Sequence, residues 1–333
     1  MVVTTGLAPR VVFWRDALHE GPVPSVESEQ LRRVRAEFLV GAGADDRREA
    51  DAIFLQRDRA LERNRHGRNV LWFEADLYDQ LQILQILARL AEIDVPADRI
   101  TLICIGEYPG IARFGGLGEL SADQLRELPS TTACTRLTPD ALDFATRAWA
   151  AFRAPTPEHL GEISETRCGE LRFVGEAFDR LAREYPSTRD GLSLTQRRVL
   201  AALAAGAPDA GAAFVGVVSR EFRPYLGDTW CFGLMTDMAQ ARTPLLETSP
   251  VGRRVDRTSR VRLTQAGAQV VAGREDHVRL NGTDRWIGGV HLAGSDAAWR
   301  WDEASESIIG SAPPPQLLQE YGLPAGDDHG PCR

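Results

Sequence analysis

The sequence contains no lysine, because all 39 of its basic residues are arginine. This absence excludes a Schiff-base lysine, a lysine general base and the lysine of a P-loop nucleotide site. Cysteine is scarce as well: there are five, without a C-x-x-C pair, so neither a disulfide framework nor a zinc site is indicated. Residues 1–9 lack the basic flank and long apolar run of a signal peptide, and no apolar run reaches the ~18 residues that cross a bilayer. We therefore expect a cytoplasmic protein with no membrane partner.

Several catalytic and cofactor motifs are also missing. The six histidines show neither H-x-H nor H-x-x-x-H spacing, so we predict no dedicated zinc site. A magnesium- or manganese-type site built from Asp16, Glu74 and Asp76 is chemically possible, but nothing in the spacing requires it, and no metal ligand is assigned. There is no G-x-S-x-G nucleophile elbow and no G-x-G-x-x-G dinucleotide fingerprint. The sequence names no cofactor, and the cofactor is left as unknown.

The composition is that of a globular protein, and its charge is unevenly spread. The chain has 333 residues, of which 43% are hydrophobic and 26% charged, with a net charge of −8. That length suits more than one domain. Residues 1–186 carry −7, residues 187–293 carry +4 and residues 294–333 carry −5. An acidic first half is a poor partner for nucleic acid, which leaves only the middle segment as a possible contact.

The pattern of apolar residues in the first half predicts an α/β fold. Short apolar runs at residues 11–14, 70–73 and 100–105 are typical of buried strands, and a strongly amphipathic helix is expected over residues 76–91. Strand, helix and strand at this spacing predict a small parallel sheet flanked by helices.

The second half predicts a different arrangement. Three helices followed by two short strands is the order of a winged helix-turn-helix module, and a β-hairpin is expected to close the chain. We predict four units: an α/β domain at 1–153, a helical connector at 154–191, a winged-helix-like domain at 192–310 and a disordered tail at 311–333.

Each predicted strand of the first half ends in a loop that carries a carboxylate. Because ligands bind at the carboxyl ends of parallel strands, these loops predict a shared site. The first loop offers His19, an imidazole that can act as general acid or base. Asp16 or Glu20 would orient it, and Glu74, after the second strand, would join it as a catalytic carboxylate. The alternative is that these side chains only bond to local backbone groups.

Further polar residues are candidates for substrate binding. They are Asp76 and Tyr78 after the second strand, Glu107 after the third, Arg189 in a linker and Arg285 before the closing strand. Asp76 is equally well explained as a helix N-cap, with Asp79 as its capping-box partner. The two arginines are explained at least as well by inter-domain salt bridges as by an anionic substrate.

Five segments together resemble a bacterial family catalogued as domain of unknown function 1835. They are WRDALHEGPVP at 14–24, LWFEADLYDQL at 71–81, ICIGEYPG at 103–110, STRDGL at 187–192 and LNGTDRWIGGVHL at 280–292. The resemblance implies an α/β first domain and a helical second one, and it implies no activity. Relatives begin with an additional strand for which residues 1–7 are too short. Either the start is not native or one wall of the pocket is missing.

Three functional hypotheses follow, of which the last is an assembly module whose tryptophan-rich closing hairpin pairs with a partner protein. The first is an enzyme that binds a small polar or anionic, nucleotide-like ligand at the strand ends and uses histidine and carboxylate acid–base chemistry. The alternative is a metabolite-responsive regulator that contacts nucleic acid through the winged-helix-like domain. Oligomeric state is not predicted.

Overall fold

The protein has an α/β fold, as predicted. The computed structural model describes residues 5–6, 10–41 and 47–310, in which none of the helices is long and apolar enough to span a membrane. The helices are α1 (Ser28–Gly41), α2 (Arg47–Arg63), α3 (Leu77–Glu92), α4 (Ala122–Glu127), α5 (Pro139–Arg153), α6 (Leu160–Glu165), α7 (Val174–Ala182), α8 (Leu194–Ala204), α9 (Ala210–Val218), α10 (Asp228–Gln240), α11 (Gln265–Val271) and α12 (His277–Asn281). The strands are β1 (Asn69–Glu74), β2 (Ile100–Ile105), β3 (Cys134–Arg136), β4 (Leu246–Ser249), β5 (Arg260–Leu263), β6 (Thr283–Ile287), β7 (Val290–Gly294), β8 (Trp299–Asp302) and β9 (Ser307–Gly310).

The sheet of the first half is mixed and not purely parallel. β1 and β2 are parallel and in register from Asn69 opposite Ile100 to Glu74 opposite Ile105. β3 lies antiparallel on the other side of β2. The crossover between β1 and β2 is α3, which begins after its N-cap Asp76. Glu74, Asp76 and the first turn of α3 therefore lie together at one edge of the sheet.

The strand predicted at residues 11–14 is not formed. This segment has no regular structure, and the side chains of Val12 and Phe13 are exposed. A short apolar run has high strand propensity, but a strand forms only where a neighbouring strand accepts its backbone hydrogen bonds. The loop that carries His19 thus follows an irregular segment instead of a strand.

The two largest hydrophobic cores lie in different parts of the described chain. The first packs α3, α5 and α7 against β1 and β2, with fully buried residues such as Leu84 and Phe178. The second is formed by α8, α9, α10, the β4–β5 hairpin and α11, around Val199, Cys231 and Met235. The order of three helices and an antiparallel hairpin is the predicted one. That the second unit belongs to the winged-helix class stays a prediction.

The chain closes with two hairpins, β6–β7 and β8–β9, where one was predicted. Their buried residues Val290, Trp299 and Trp301 pack in the first core, although they follow the second core in sequence. The first structural unit is therefore built from both ends of the chain, which differs from the predicted continuous unit at 192–310. The predicted tail at 311–333 lies outside the described residues.

Candidate functional site

Three carboxylates cluster at the carboxyl end of β1. Glu74, Asp76 and Asp79 each place an oxygen within 4.8 Å of the others. The Asp76 side chain caps α3 by accepting from the Asp79 N–H at 3.0 Å, as predicted. The Asp79 carboxylate accepts from the Glu74 N–H at 2.6 Å and not from the N-cap residue itself. Glu74 accepts from the Leu117 N–H at 2.7 Å, so two chain segments hold the cluster in place.

Burial and mutual repulsion make these carboxylates hard to ionise. Desolvation is the main cause in each case, and it raises the pKa of Glu74 to about 7, of Asp76 to about 6 and of Asp79 to about 8. The charge of Asp76 further raises the pKa of both other groups. At neutral pH the cluster therefore holds protons that it can give up or accept, which is the property of a general acid–base group. Fully deprotonated, the same three oxygens would suit a hard divalent cation.

The loop after β2 fits closely over the cluster. Gly116 has φ = 132°, a conformation that glycine adopts readily. A Cβ atom at this position would collide with the Glu74 carboxylate. The glycine-rich loop that follows the third predicted strand is therefore needed for close approach to Glu74.

A cavity of about 330 Å³ adjoins this edge of the sheet. Ala75 and Leu77, which flank Asp76 in the chain, line it on one side. The other lining residues are mostly charged and come from α7, α8 and the segment after α9; five of them are arginines, Arg180, Arg183, Arg198, Arg220 and Arg223. Arg223 donates to the Gly106 carbonyl at 2.8 Å, and its charge favours the ionised form of Asp76 by lowering that pKa.

Four of the five arginines are paired with acids: Arg180 with Glu184 and Glu221, Arg183 with Asp179, Arg198 with Glu221 and Arg223 with Glu176. Arg220 donates to the Gly216 carbonyl and has no ion-pair partner in the described residues. Within the described chain, the cavity thus offers one unneutralised cation near the carboxylate cluster.

His19 lies deeper, in an enclosure of aromatic rings. Its imidazole meets Tyr78, Tyr225 and Trp230 edge-on, with ring centroids 5.7, 5.3 and 6.2 Å away. The residue is 5% exposed, and neither ring nitrogen has a hydrogen-bond partner in the structure. Desolvation lowers the pKa of His19 to about 3, so the imidazole is neutral at pH 7. A neutral imidazole can donate or accept one hydrogen bond, but it is a poor proton donor at this pH.

The carboxylates predicted to orient His19 do not bond to it. Asp16 forms a fully buried ion pair with Arg35, whose Nη2 lies 2.6 Å from the Asp16 carboxylate. Arg35 also donates to the carbonyls of Ala17 and Glu20, so this pair holds the backbone of the His19 loop. The Asp16–Arg35 pair could not be predicted from sequence patterns, because Arg35 lies on α1 and its burial depends on tertiary packing.

Glu20 belongs to a buried ionic network that joins the two cores. Arg285 lies 3.4 Å from Glu20 and 2.8 Å from Glu184. Glu184 also pairs with Arg180 at 2.8 Å, and Arg180 pairs with Glu221 at 2.7 Å. The network reaches the enclosure of His19 as well, because the Arg180 guanidinium lies over the Tyr225 ring. Arg285 therefore forms structural salt bridges, as the sequence allowed, but they lie within the first unit, and Arg180 with Glu221 makes the link to the second.

Two predicted substrate-binding residues lie apart from these groups. Glu107 is exposed. Arg189 is exposed too, and it donates to the Val271 carbonyl at 3.4 Å in the second unit. Tyr78, by contrast, contacts His19 from the first turn of α3, where Asp76 and Asp79 also lie. The structure thus brings together the first and second predicted loops, with Arg285, and does not bring Glu107 or Arg189 to them.

Three groups of the site were not predicted as functional from the sequence. Asp79 was interpreted only as a capping residue. Three acids within residues 74–79, directly after a predicted strand, were a signal that could have identified it. Arg180 and Arg223 had no local signal, since α7 and the segment after α9 reach the sheet edge only through the folded chain.

Comparison with protein-family models and with curated proteins finds no match for this chain. The resemblance to domain of unknown function 1835 therefore stays an interpretation of the sequence.

Proposed function

We propose that the protein is an enzyme that binds a small anionic molecule in the cavity beside β1 and moves a proton through the carboxylate cluster. The observation that carries the proposal is the juxtaposition of three carboxylates within 4.8 Å with a cavity that five arginines line. Arg220, whose charge no carboxylate in the described residues neutralises, would bind the anionic group of the substrate. Glu74, Asp76 and Asp79 would supply the general acid and base.

His19 has no substrate contact in this proposal. It is not among the residues that line the cavity beside β1, and Tyr78, Tyr225 and Trp230 enclose its neutral imidazole. The acid–base role that the sequence suggested for His19 passes to the carboxylates.

An untargeted substrate screen tests this function. The purified protein is incubated with a cell metabolite extract, and consumed compounds are followed by mass spectrometry. Glu74→Gln keeps an oxygen that can accept from the Leu117 N–H, so it should fold normally and slow turnover by roughly 10²–10⁴-fold. Glu107→Gln, an exposed change of the same type, is the matched control and should leave turnover unchanged. Equal turnover by wild type and Glu74→Gln, or no compound consumed by the wild type, would refute the proposal.

A specific observation also favours the alternative of a nucleic-acid-binding regulator. Arg253, Arg254, Arg257, Arg260 and Arg262 are exposed on the β4–β5 hairpin, and in the described ranges none of them has an ion-pair partner. Against it, α10 exposes the acidic residues Asp228 and Asp237, which would repel phosphates. Replacing three hairpin arginines by glutamine should then weaken duplex DNA binding and reduce its salt slope by about 3. No binding at low salt excludes this function.

A further inference from the structure

A second cavity, of about 250 Å³, lies among helices α1, α2, α3 and α5, away from the residues that form the proposed active site. Five arginines and two acids line it: Arg32, Arg35, Arg57, Arg89, Arg153, Asp58 and Glu92. An arginine-rich wall by itself is not evidence of a ligand, because each guanidinium can be neutralised by a carboxylate behind it. The partners of each arginine therefore decide what the cavity can bind.

Three of the five arginines are neutralised. Arg35 is paired with Asp16, and Arg32 lies 2.9 Å from Asp51. Arg89 pairs with Glu62 at 2.5 Å and with Glu92 at 2.9 Å. These side chains form the rigid frame of the cavity and have little charge to offer a ligand.

Arg57 is different, because it is buried with an incomplete set of partners. It is 6% exposed, and its Nη1 atom has no hydrogen-bond partner. The nearest acid is Asp58, at 3.4 Å from Nε. Burial is the main cause that lowers the pKa of Arg57, as expected of a cation that its surroundings do not fully compensate.

The Arg57 guanidinium is also held in one orientation. Its central carbon lies 3.9 Å from the centre of the Trp14 ring and 4.6 Å from that of Phe54. Trp14 is itself fixed by a 2.8 Å hydrogen bond from its indole N–H to Gln85. A guanidinium held between rings loses little conformational entropy when it binds an anion, which favours recognition.

Arg153, the last residue of α5, is a second arginine in this cavity that no carboxylate of the described chain neutralises. It donates to the carbonyls of Pro24 and Val26, and in the described part of the chain no carboxylate lies within ion-pair distance. Burial lowers the pKa of Arg153 as well. The carbonyl oxygens accept hydrogen bonds from its N–H groups, but because they are uncharged they do not neutralise the guanidinium.

We propose that this cavity is a binding site for a small oxyanion-bearing metabolite, whose phosphate or carboxylate group is bound by Arg57 and Arg153. Both anions match the planar donor fork of arginine. The volume is below the roughly 300–1,000 Å³ of pockets that hold drug-sized ligands, so the ligand is smaller than a nucleotide. The site is separate from the proposed active site and does not depend on it.

Isothermal titration calorimetry with orthophosphate and with citrate tests the proposal and distinguishes the two anion classes. Arg57→Gln should weaken binding by on the order of tenfold or more, since one charge-assisted contact is lost. Arg147→Gln, an exposed arginine of α5 that lines neither cavity, is the matched control and should leave anion binding unchanged. Equal affinities for wild type and Arg57→Gln, or no saturable binding of either probe by the wild type, would overturn the proposal.

A second variant keeps the test informative if Arg57→Gln unfolds. Asp58→Asn removes the acid that competes with a ligand for Arg57 and keeps the side-chain shape. It should therefore tighten binding several-fold, and it should lower the melting temperature of the ligand-free protein, because the buried Arg57 loses its nearest acid. Weaker binding by this variant would also contradict the proposal.

Discussion

The two arginine-rich regions of the molecule show how differently one residue type can act. In the buried network, Arg180 and Arg285 are paired on several sides with Glu184, Glu221 and Glu20. On the β4–β5 hairpin, five arginines point into solvent, and none has an ion-pair partner within the described chain. In the sequence, Arg180 and Arg285 stand next to acidic residues, whereas the hairpin arginines form a dense basic cluster.

The two regions differ in the free-energy cost of an arginine that has no ion-pair partner. A buried cation that loses its partner retains the whole desolvation penalty, whereas an exposed one is stabilised by water and salt. The network should therefore determine how the two cores are joined, and the hairpin should contribute almost nothing to stability. The following predictions test this contrast.

Removing the charge at Glu184 should have the largest effect. Its carboxylate is shared by Arg180 and Arg285, both at 2.8 Å, and also accepts from the Thr195 hydroxyl. Glu184→Gln leaves two buried cations short of a partner and should reduce the free energy of unfolding by about 3–5 kcal/mol. Urea denaturation at pH 7 measures this loss.

The matched control for Glu184 lies on α7. Asp179 forms an ion pair with Arg183 at 3.2 Å, but its side chain is 52% exposed. Asp179→Asn should cost less than about 0.5 kcal/mol. If both variants lost the same stability, burial would not be what distinguishes the two pairs.

His19 tests whether an uncharged polar side chain without hydrogen-bond partners, buried next to the ionic network, also reduces stability. His19→Phe replaces two unpartnered ring nitrogens by carbon inside an aromatic enclosure, so at pH 7 it should raise stability by about 1–2 kcal/mol. The folded-state pKa of about 3 is below the unfolded value of 6.5. Wild-type stability should therefore fall as pH drops below about 6.5, because only the unfolded chain takes up this proton.

The variant lacks that titration. Its advantage over wild type should grow by about 2 kcal/mol between pH 7 and pH 5. Thermal melts of both proteins at the two pH values provide the measurement. A constant difference would mean that His19 is not desolvated as the structure indicates.

Much of the fold could be predicted from local sequence. The α3 helix carries a strong apolar stripe after a capping aspartate, and β2 is a continuous apolar run, so both were located closely. The three-residue β3 is too short to show a pattern. Residues 11–14 were wrongly predicted as a strand because propensity is local, whereas strand pairing requires a neighbour.

The candidate site could be predicted only in part. Glu74, Asp76 and Tyr78 were found because they lie in one polar segment directly after a recognisable strand. The pairing of Asp16 with Arg35 and of Glu20 with Arg285 depends on contacts 19 and 265 residues apart. No local pattern records such distances, so a buried salt bridge and a catalytic carboxylate look alike in sequence.

Glu74 tests the intermediate case of a half-buried charge. Its pKa of about 7 in the folded state is above its ordinary value of 4.5, so wild-type stability should fall as pH rises from about 4.5 to 8. Glu74→Gln removes this titration and should stabilise the protein by on the order of 1 kcal/mol at pH 8. At pH 4.5 the gain should nearly disappear. Melts across this range check the trend, and a pH-independent difference would contradict it.

The hairpin arginines should give the smallest effect. Arg253, Arg254 and Arg257 lie around a turn that Asp256 organises by accepting from the Thr258 N–H at 2.8 Å, and none of the three donates to that turn in the described contacts. Replacing all three by glutamine should therefore change the free energy of unfolding by less than about 0.5 kcal/mol. Urea denaturation at low and high salt measures it. A loss above about 1 kcal/mol would show that exposed arginines also support the fold, and the contrast with the buried network would no longer hold.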